Sequence, residues 1–352
     1  MKRWFLLLFL ALSSALYGYE FLILGDTHYD SPEVRVLNEK LKPGRAKEYK
    51  RNLNCWSKTM PSLLEAAGER AAGQVDFVVQ LGDLTQGDCG AQKLQEKSFR
   101  NAVATIRKAV KVPFYAVKGN HDIRGKGAQE AYINVMIPYL EKALKTPPAV
   151  KDTGHFVLKH KKDLFIFFDS IKPDLAYVEK AFAENPDVRY VFFMTHLPLL
   201  PCAGGDPSWI VFGSPKQNAD RQKLLSLLAK HNAIVLTAHV HRASLFRYQS
   251  QEGTITQLTT FSMVTDSENT FAVEELKPND YFQSKNYRKA LLEKETIAEV
   301  MRDFEGKYIT RWEMSPDAGF NVLRVTDEGV SVDLYIGVSK KVTRTIPLLP
   351  LK

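Results

Sequence analysis

Five short apolar runs each end in Asp, Asn or His, and five of the eight histidines stand there. "FLILGDTH" carries Asp26 and His28, and "DFVVQLGD" ends in Asp83. "VPFYAVKGNHD" carries Asn120, His121 and Asp122. "YVFFMTHLP" carries His196, and "NAIVLTAHVHRAS" carries His239 and His241. Asp, Asn and His without Cys are hard-to-borderline donors that suit manganese, iron, zinc, nickel or cobalt rather than a thiolate zinc site. With His121 and its neighbour Asp122 left aside, seven such residues are more than one six-coordinate ion can use. Two ions sharing one carboxylate is the natural count, and such pairs clamp both oxygens of an in-line displacement at phosphorus.

The apolar runs are what must position these side chains. The sequence predicts strands at Phe21–Leu24, Phe77–Leu81, Pro113–Val117, Leu164–Phe168, Tyr190–Met194 and Ile234–Ala238. Between them it predicts helices at 55–71, Ala91–Val110, Ala128–Leu144, Leu175–Ala183 and Ala219–His231. Strands alternating with helices imply an α/β core with covered sheets. Ligands then gather outside the carboxyl ends of the strands, where the five polar clusters fall. Beyond residue 265 the chain turns polar. A helix is expected over Tyr287–Phe304, followed by a hairpin of Val322–Val325 and Val330–Ile336 that returns to the main sheet, since a lone hairpin is marginal.

The order Asp-x-His, Gly-Asp, Gly-Asn-His-Asp, His, His-x-His resembles the calcineurin-like metallophosphoesterase superfamily over roughly residues 20–245. The resemblance implies a four-layer α/β/β/α sandwich of two mixed sheets. It also implies two divalent metal ions (manganese, iron or zinc). One would be held by Asp26, His28, Asp83 and His241, the other by Asp83, Asn120, His196 and His239. A metal-bridging hydroxide would attack a phosphate monoester or diester in line. His121 would be no ligand; it would face the leaving group, with Asp122 orienting its ring. His239 and His241 would serve different metals because the chain turns after Ala238. That residue departs from the glycine usual there. Purple acid phosphatases, a branch of the superfamily, lack the Asp-x-His histidine and place tyrosine three residues after the second aspartate. His28 and Gln86 stand at those positions here, which excludes that branch.

Other residues are lesser candidates. Arg124 and Arg242 follow metal motifs and could grip a phosphate bidentately. Asp169 and Ser170 read as structural, and His155, His160 and His231 as surface residues. The long loop ending at Trp209 could wall a substrate pocket, with Tyr29 and Trp56 at its mouth. The expected partner is a small phosphorylated molecule: a nucleotide, a phosphomonoester or a lipid phosphodiester. The rival reading is a non-catalytic binding protein on a decayed scaffold, whose mark would be lost ligands; none is lost. A zinc peptidase is discounted for want of a His-Glu-x-x-His helix.

Composition is that of a globular chain: 352 residues, 45% hydrophobic and 25% charged. Lys2 and Arg3, the apolar run Trp4–Leu12 and the small residues Ser13–Ala15 have the order of a signal peptide over residues 1–18. Secretion or periplasmic export follows, with the mature chain starting between Leu16 and Tyr19. Residues 19–265 then form the phosphoesterase domain and 266–352 a C-terminal extension. The net charge of +8, or +6 without Lys2 and Arg3, suits anionic substrates, and no basic run reads as a nucleic-acid arm. In an oxidising compartment one disulfide is expected, Cys55–Cys89, leaving Cys202 as a thiol.

Overall fold

The computed structural model describes residues 18–36, 42–145, 152–202, 209–264, 273–276, 295–302, 304, 308–314 and 318–350. The proposed signal segment and most of 265–294 lie outside them. Among the described residues, fourteen strands form two mixed sheets.

The first sheet starts from β1 (Tyr19–Leu24), β2 (Phe77–Gln80) and β3 (Phe114–Ala116), paired in parallel. On the other side of β1 lie β12 (Gly319–Val325), β13 (Val330–Ile336) and β14 (Arg344–Leu349), all antiparallel. The C-terminal hairpin therefore extends the sheet that carries Asp26 and Asp83. Val322 and Leu323 point to opposite layers and both are fully buried, so the hairpin joins a core on each face of the sheet.

The second sheet has at its centre β5 (Asp163–Phe168), β6 (Val191–Thr195), β7 (Ile234–Thr237) and β9 (Thr254–Thr259), again parallel. It is flanked by β4 (Phe156–His160) on one edge and by β8 (Ser244–Gln249), β11 (Tyr308–Met314) and β10 (Val273–Leu276) on the other. The sequence reading missed these flanking strands and β9 and β14. They are short, polar or, in β14, interrupted by Pro347, so they carry little of the apolar signal of buried strands.

The helices are α1 (Pro43–Lys58), α2 (Met60–Ala71), α3 (Gln92–Ala109), α4 (Ala128–Leu144), α5 (Leu175–Ala183), α6 (Asn218–Lys230) and α7 (Glu295–Arg302). The single helix expected over 55–71 is two. Pro61 lacks the N–H that would continue α1 and sits in the first turn of α2, where that loss is harmless. Three core layers result. One joins α2, α3 and α4 to the first sheet, one lies between the sheets, and one joins α5 and α6 to the second sheet. Three cores between four layers is the sandwich the resemblance implied.

The Cys55–Cys89 disulfide is not formed: all three cysteines are buried thiols. Cys55 and Cys89 share one core layer but pack there as small apolar side chains. His155, expected at the surface, is fully buried. It stacks on Tyr177, accepts from the Asp169 amide and donates to the Lys172 carbonyl.

Candidate metal centre

The carboxyl ends of β1, β2, β3, β6 and β7 meet where the two sheets face each other. All seven expected ligands arrive there. Three overlapping groups have donor atoms within 4.8 Å of one another: Asp26, His28 and His241; His28, Asp83 and His121; Asp83, His196 and His239. Asn120 joins the third group, its Oδ1 lying 3.0 Å from His196 Nε2. Asp83 belongs to two groups and has His196 Nε2 at 3.4 Å and His28 Nε2 at 3.8 Å from its Oδ2.

The backbone is unusual where the ligands stand. His28, Asp83, His239 and His241 all have positive φ, between 41° and 70°. Non-glycine residues adopt this region at a cost, typically at functional sites. For the His-x-His pair it decides the outcome. β7 stops at Thr237, and the turn sends His239 to His196 Nε2, 3.1 Å away, and His241 to His28 Nε2, 3.2 Å away. A continuing strand would have aimed both at one face. Ala238 keeps an ordinary φ, and its methyl is buried between the sheets, so the departure from glycine is accommodated.

Two glycines are required by close approach. A Cβ on Gly82, whose φ is +93°, would lie 2.5 Å from His196 Nδ1. A Cβ on Gly119 would lie 2.1 Å from the Asp83 amide nitrogen. The Gly-Asp and Gly-Asn-His motifs are thus two loops packed against each other and against the His196 ring.

Burial and neighbouring charges act differently on the donors. Burial holds His28 well below the usual imidazole range and, with His196 adding to it, lowers His239 to about 4, so both are neutral with a lone pair available. Burial works against charge on Asp83, yet His196, His121 and His28 hold its carboxyl well below the carboxylate range. Burial also opposes charge on His196, but the Asp83 carboxylate outweighs it and pushes His196 up to about 9. His196 donates from Nδ1 to the Leu81 carbonyl (2.9 Å), which turns Nε2 toward the other donors. Asp26 Oδ1 is fully buried and accepts no hydrogen bond. An orphaned carboxylate oxygen facing imidazoles, in a set of Asp, Asn and His, fits divalent metal ions.

Two sequence expectations need correction. Asp122 does not orient His121. Its Oδ1 accepts from the Thr85 amide and its Oδ2 from the Gly119 amide, both at 2.9 Å, so it ties the Asp83 loop to the Asn120 loop. Burial, then the Asp83 charge, pushes it up to about 7. Arg124 is no open phosphate clamp. Its Nη2 donates to Glu48 (2.7 Å), its Nε lies 2.8 Å from Asp88 Oδ2, and its Nη1 lies 3.0 Å from His121 Nε2. His121 Nδ1 faces the Gln86 carbonyl at 3.1 Å. A guanidinium only donates and a carbonyl only accepts, so His121 carries its proton on Nδ1 and accepts at Nε2.

Around this centre, Trp56 donates to the Thr27 and His28 carbonyls and meets Tyr29 edge to face, so both pack behind the Asp-x-His loop. Trp209 is 53% exposed and packs edge-on against His239, 5.2 Å between ring centres. Asp169 pairs with the buried Lys118 and accepts from the Ile171 and Lys172 amides, while Ser170 accepts from the Leu197 amide. Arg242 is half-buried beside His241 in the chain. The sequence reading missed Glu48 and Gln86 at this site.

The calcineurin-like phosphoesterase family model matches residues 19–243. Among solved structures, the purple acid phosphatase PPD1 from yellow lupin (Lupinus luteus) is similar with a TM-score of 0.55 at 13% identity. The match covers 94% of this chain but 53% of that one, so the chain spans about half the lupin protein's length. A dimetal phosphatase from Danio rerio gives a TM-score of 0.51 at 12% identity, covering 94% of this chain and 98% of that one. PhoD gives 0.51 at 11% identity, covering 94% and 68%. At such identities the likeness is one of fold. No curated protein sequence matches significantly.

Proposed function

Because the chain belongs to the calcineurin-like phosphoesterase family, whose activity is metal-dependent phosphoester hydrolysis, we propose that it is an exported phosphoesterase with two divalent metal ions. Its substrates are small phosphate monoesters or diesters: nucleotides, phosphomonoesters or lipid phosphodiesters. The observation that carries this reading is Asp83, one buried carboxylate shared by two groups of imidazoles. Asp26, His28 and His241 hold one ion with Asp83, and Asn120, His196 and His239 hold the other with it. Manganese, iron and zinc all suit this donor set. When bound, such a pair supplies Lewis acidity and an activated water for in-line displacement at phosphorus.

His121 serves the leaving oxygen. The Gln86 carbonyl takes its Nδ1 and the Arg124 cation donates to its Nε2, a place where a metal cation would meet like charge, which argues against a ligand role. Arg124 offers the departing oxygen a cationic neighbour, and Nε2 becomes an acid only when it releases the arginine N–H and takes a proton. Arg242 remains a candidate contact for a phosphate oxygen. His121→Ala should keep both metals and lower kcat more than it changes KM, by about a hundred- to ten-thousand-fold. The loss should shrink for nitrophenyl esters, whose leaving group needs no proton. Loss of a metal, or an equal loss for good and poor leaving groups, refutes the role.

Export rests on the charged, apolar and small residues of 1–18. No helix among the described residues is long and apolar enough to cross a membrane. Mass spectrometry of the mature chain should find a start between Leu16 and Tyr19; an intact Met1 in the membrane fraction would mean an uncleaved anchor. Residues 266–352 form one unit with 19–265, a reading supported by the pairing of β12 with β1.

A further inference from the structure

Three polar residues of α1 lie on one helical face. Arg45, Glu48 and Asn52 are spaced i, i+3, i+7. Each grips a group next to His121. Glu48 Oε2 accepts from Arg124 Nη2 at 2.7 Å and from Gln86 Nε2 at 2.9 Å. Asn52 donates to Gln86 Oε1 at 2.5 Å. Arg45 pairs at 2.7 Å with Asp88, which also lies against Arg124 Nε. Arg124 and Gln86 are the residues that engage the two ring nitrogens of His121. One carboxylate oxygen therefore holds Arg124, the clamp on Nε2, directly, and holds the side chain of Gln86, whose main-chain carbonyl faces Nδ1. Gln86 and Arg124 are 38 residues apart in sequence, and both side chains bond the same Glu48 oxygen. Asp122, the carboxylate adjacent to His121 in the chain, is committed to backbone amides and cannot substitute.

We propose that Glu48 is a positioning residue for His121, fixing the orientation and tautomer of its ring through Gln86 and Arg124. The inference rests on the leaving-group role proposed above for His121. Without Glu48, Arg124 retains only Asp88 among its carboxylate partners named above, and Gln86 loses one of its two side-chain anchors. The His121 ring then samples several orientations, and the correct one is populated only part of the time. Metal binding is untouched, because none of the seven ligands contacts Glu48.

The test is steady-state kinetics on the full chain with 4-nitrophenyl and phenyl phosphoesters, with metal content measured in parallel. Glu48→Ala should lower kcat for the phenyl ester by about ten- to a hundredfold, the usual effect of removing a partner that orients a functional group, with KM nearly unchanged. The loss should be smaller for the nitrophenyl ester. Both metals should remain. Glu48→Gln, which keeps an acceptor oxygen and the side-chain length, should recover part of the loss, and the exposed neighbour Lys47→Ala should match the parent. The Glu48→Ala/His121→Ala double variant should be no slower than His121→Ala alone, since Glu48 acts only through that ring. If the two losses multiply, or if Glu48→Ala loses metal or slows both esters equally, the inference is wrong. The His121→Ala arm separates the two readings. If that variant shows leaving-group dependence while the Glu48 effect multiplies with it, only the Glu48 inference falls. If it shows none, both fall.

Discussion

On one side of Asp83, His196 is fully buried, donates to the Leu81 carbonyl and presses on Gly82, and its Nε2 touches Asn120 and His239. On the other side, His241 keeps 28% of its side chain exposed, and Asp26 Oδ1 and His28 Nδ1 have no hydrogen-bond partner. The elements account for the difference. His196 follows β6, a central strand with β5 and β7 on either side, and is enclosed by both sheets. His241 stands in the turn from β7 to β8, near the rim. The inner half therefore has its central ring enclosed by protein contacts, whereas the outer half has a partly open ring, His241, and two buried donor atoms without a protein hydrogen bond.

The largest effect should come from the residue common to both halves. Asp83→Asn should lose at least one metal and nearly all activity, read by metal analysis and turnover. Full occupancy by two metals would show that Asp83 does not bridge. The next test separates the halves. His196→Ala removes a buried, hydrogen-bonded ring from the inner half and should destabilise the metal-free protein by about 2 kcal/mol or more in chemical unfolding. His241→Ala should cost the metal-free protein less than about 1 kcal/mol and leave one ion per chain, on the His196 side. Equal destabilisation would erase the distinction between the halves.

A smaller effect is expected at Trp209, the exposed ring on His239. Trp209→Ala should weaken inhibition by phenylphosphonate several-fold, within the range of about 1–3 kcal/mol for aromatic stacking, and leave methylphosphonate inhibition unchanged. If both inhibitors weaken alike, the ring shapes the metal site and not the substrate mouth. The smallest effect should be Ala238→Gly. With an ordinary backbone at that position, the change should cost about 0.5–1 kcal/mol of stability and leave kcat within about twofold. A marked gain in metal affinity would mean that the methyl crowds His239.

The identities of the seven candidate ligands and their order were legible in the sequence. Each sits one or a few residues behind an apolar run, and a strand end is a local signal. The layered α/β fold was legible for the same reason: buried parallel strands and amphipathic helices announce themselves within a dozen residues. The flanking strands β4, β8, β10, β11 and β14 did not. They mix apolar with polar residues or carry a proline, so no continuous apolar run marks them.

Side-chain direction belonged to the tertiary structure. Asp122 is bonded in sequence to His121 yet points away from it, because amides at Thr85 and Gly119 claim its oxygens. His239 and His241 part company through two positive φ values that no strand pattern foretells. His155 was read as a surface residue and is buried, since Tyr177 and two backbone groups from other segments complete its surroundings. Arg45, Glu48 and Asn52 form an unremarkable polar stripe until α1 is laid over the Gln86 and Arg124 loops. A residue's type and neighbours in the chain are local properties. Where its side chain points is set by backbone angles that only contacts between distant segments can hold.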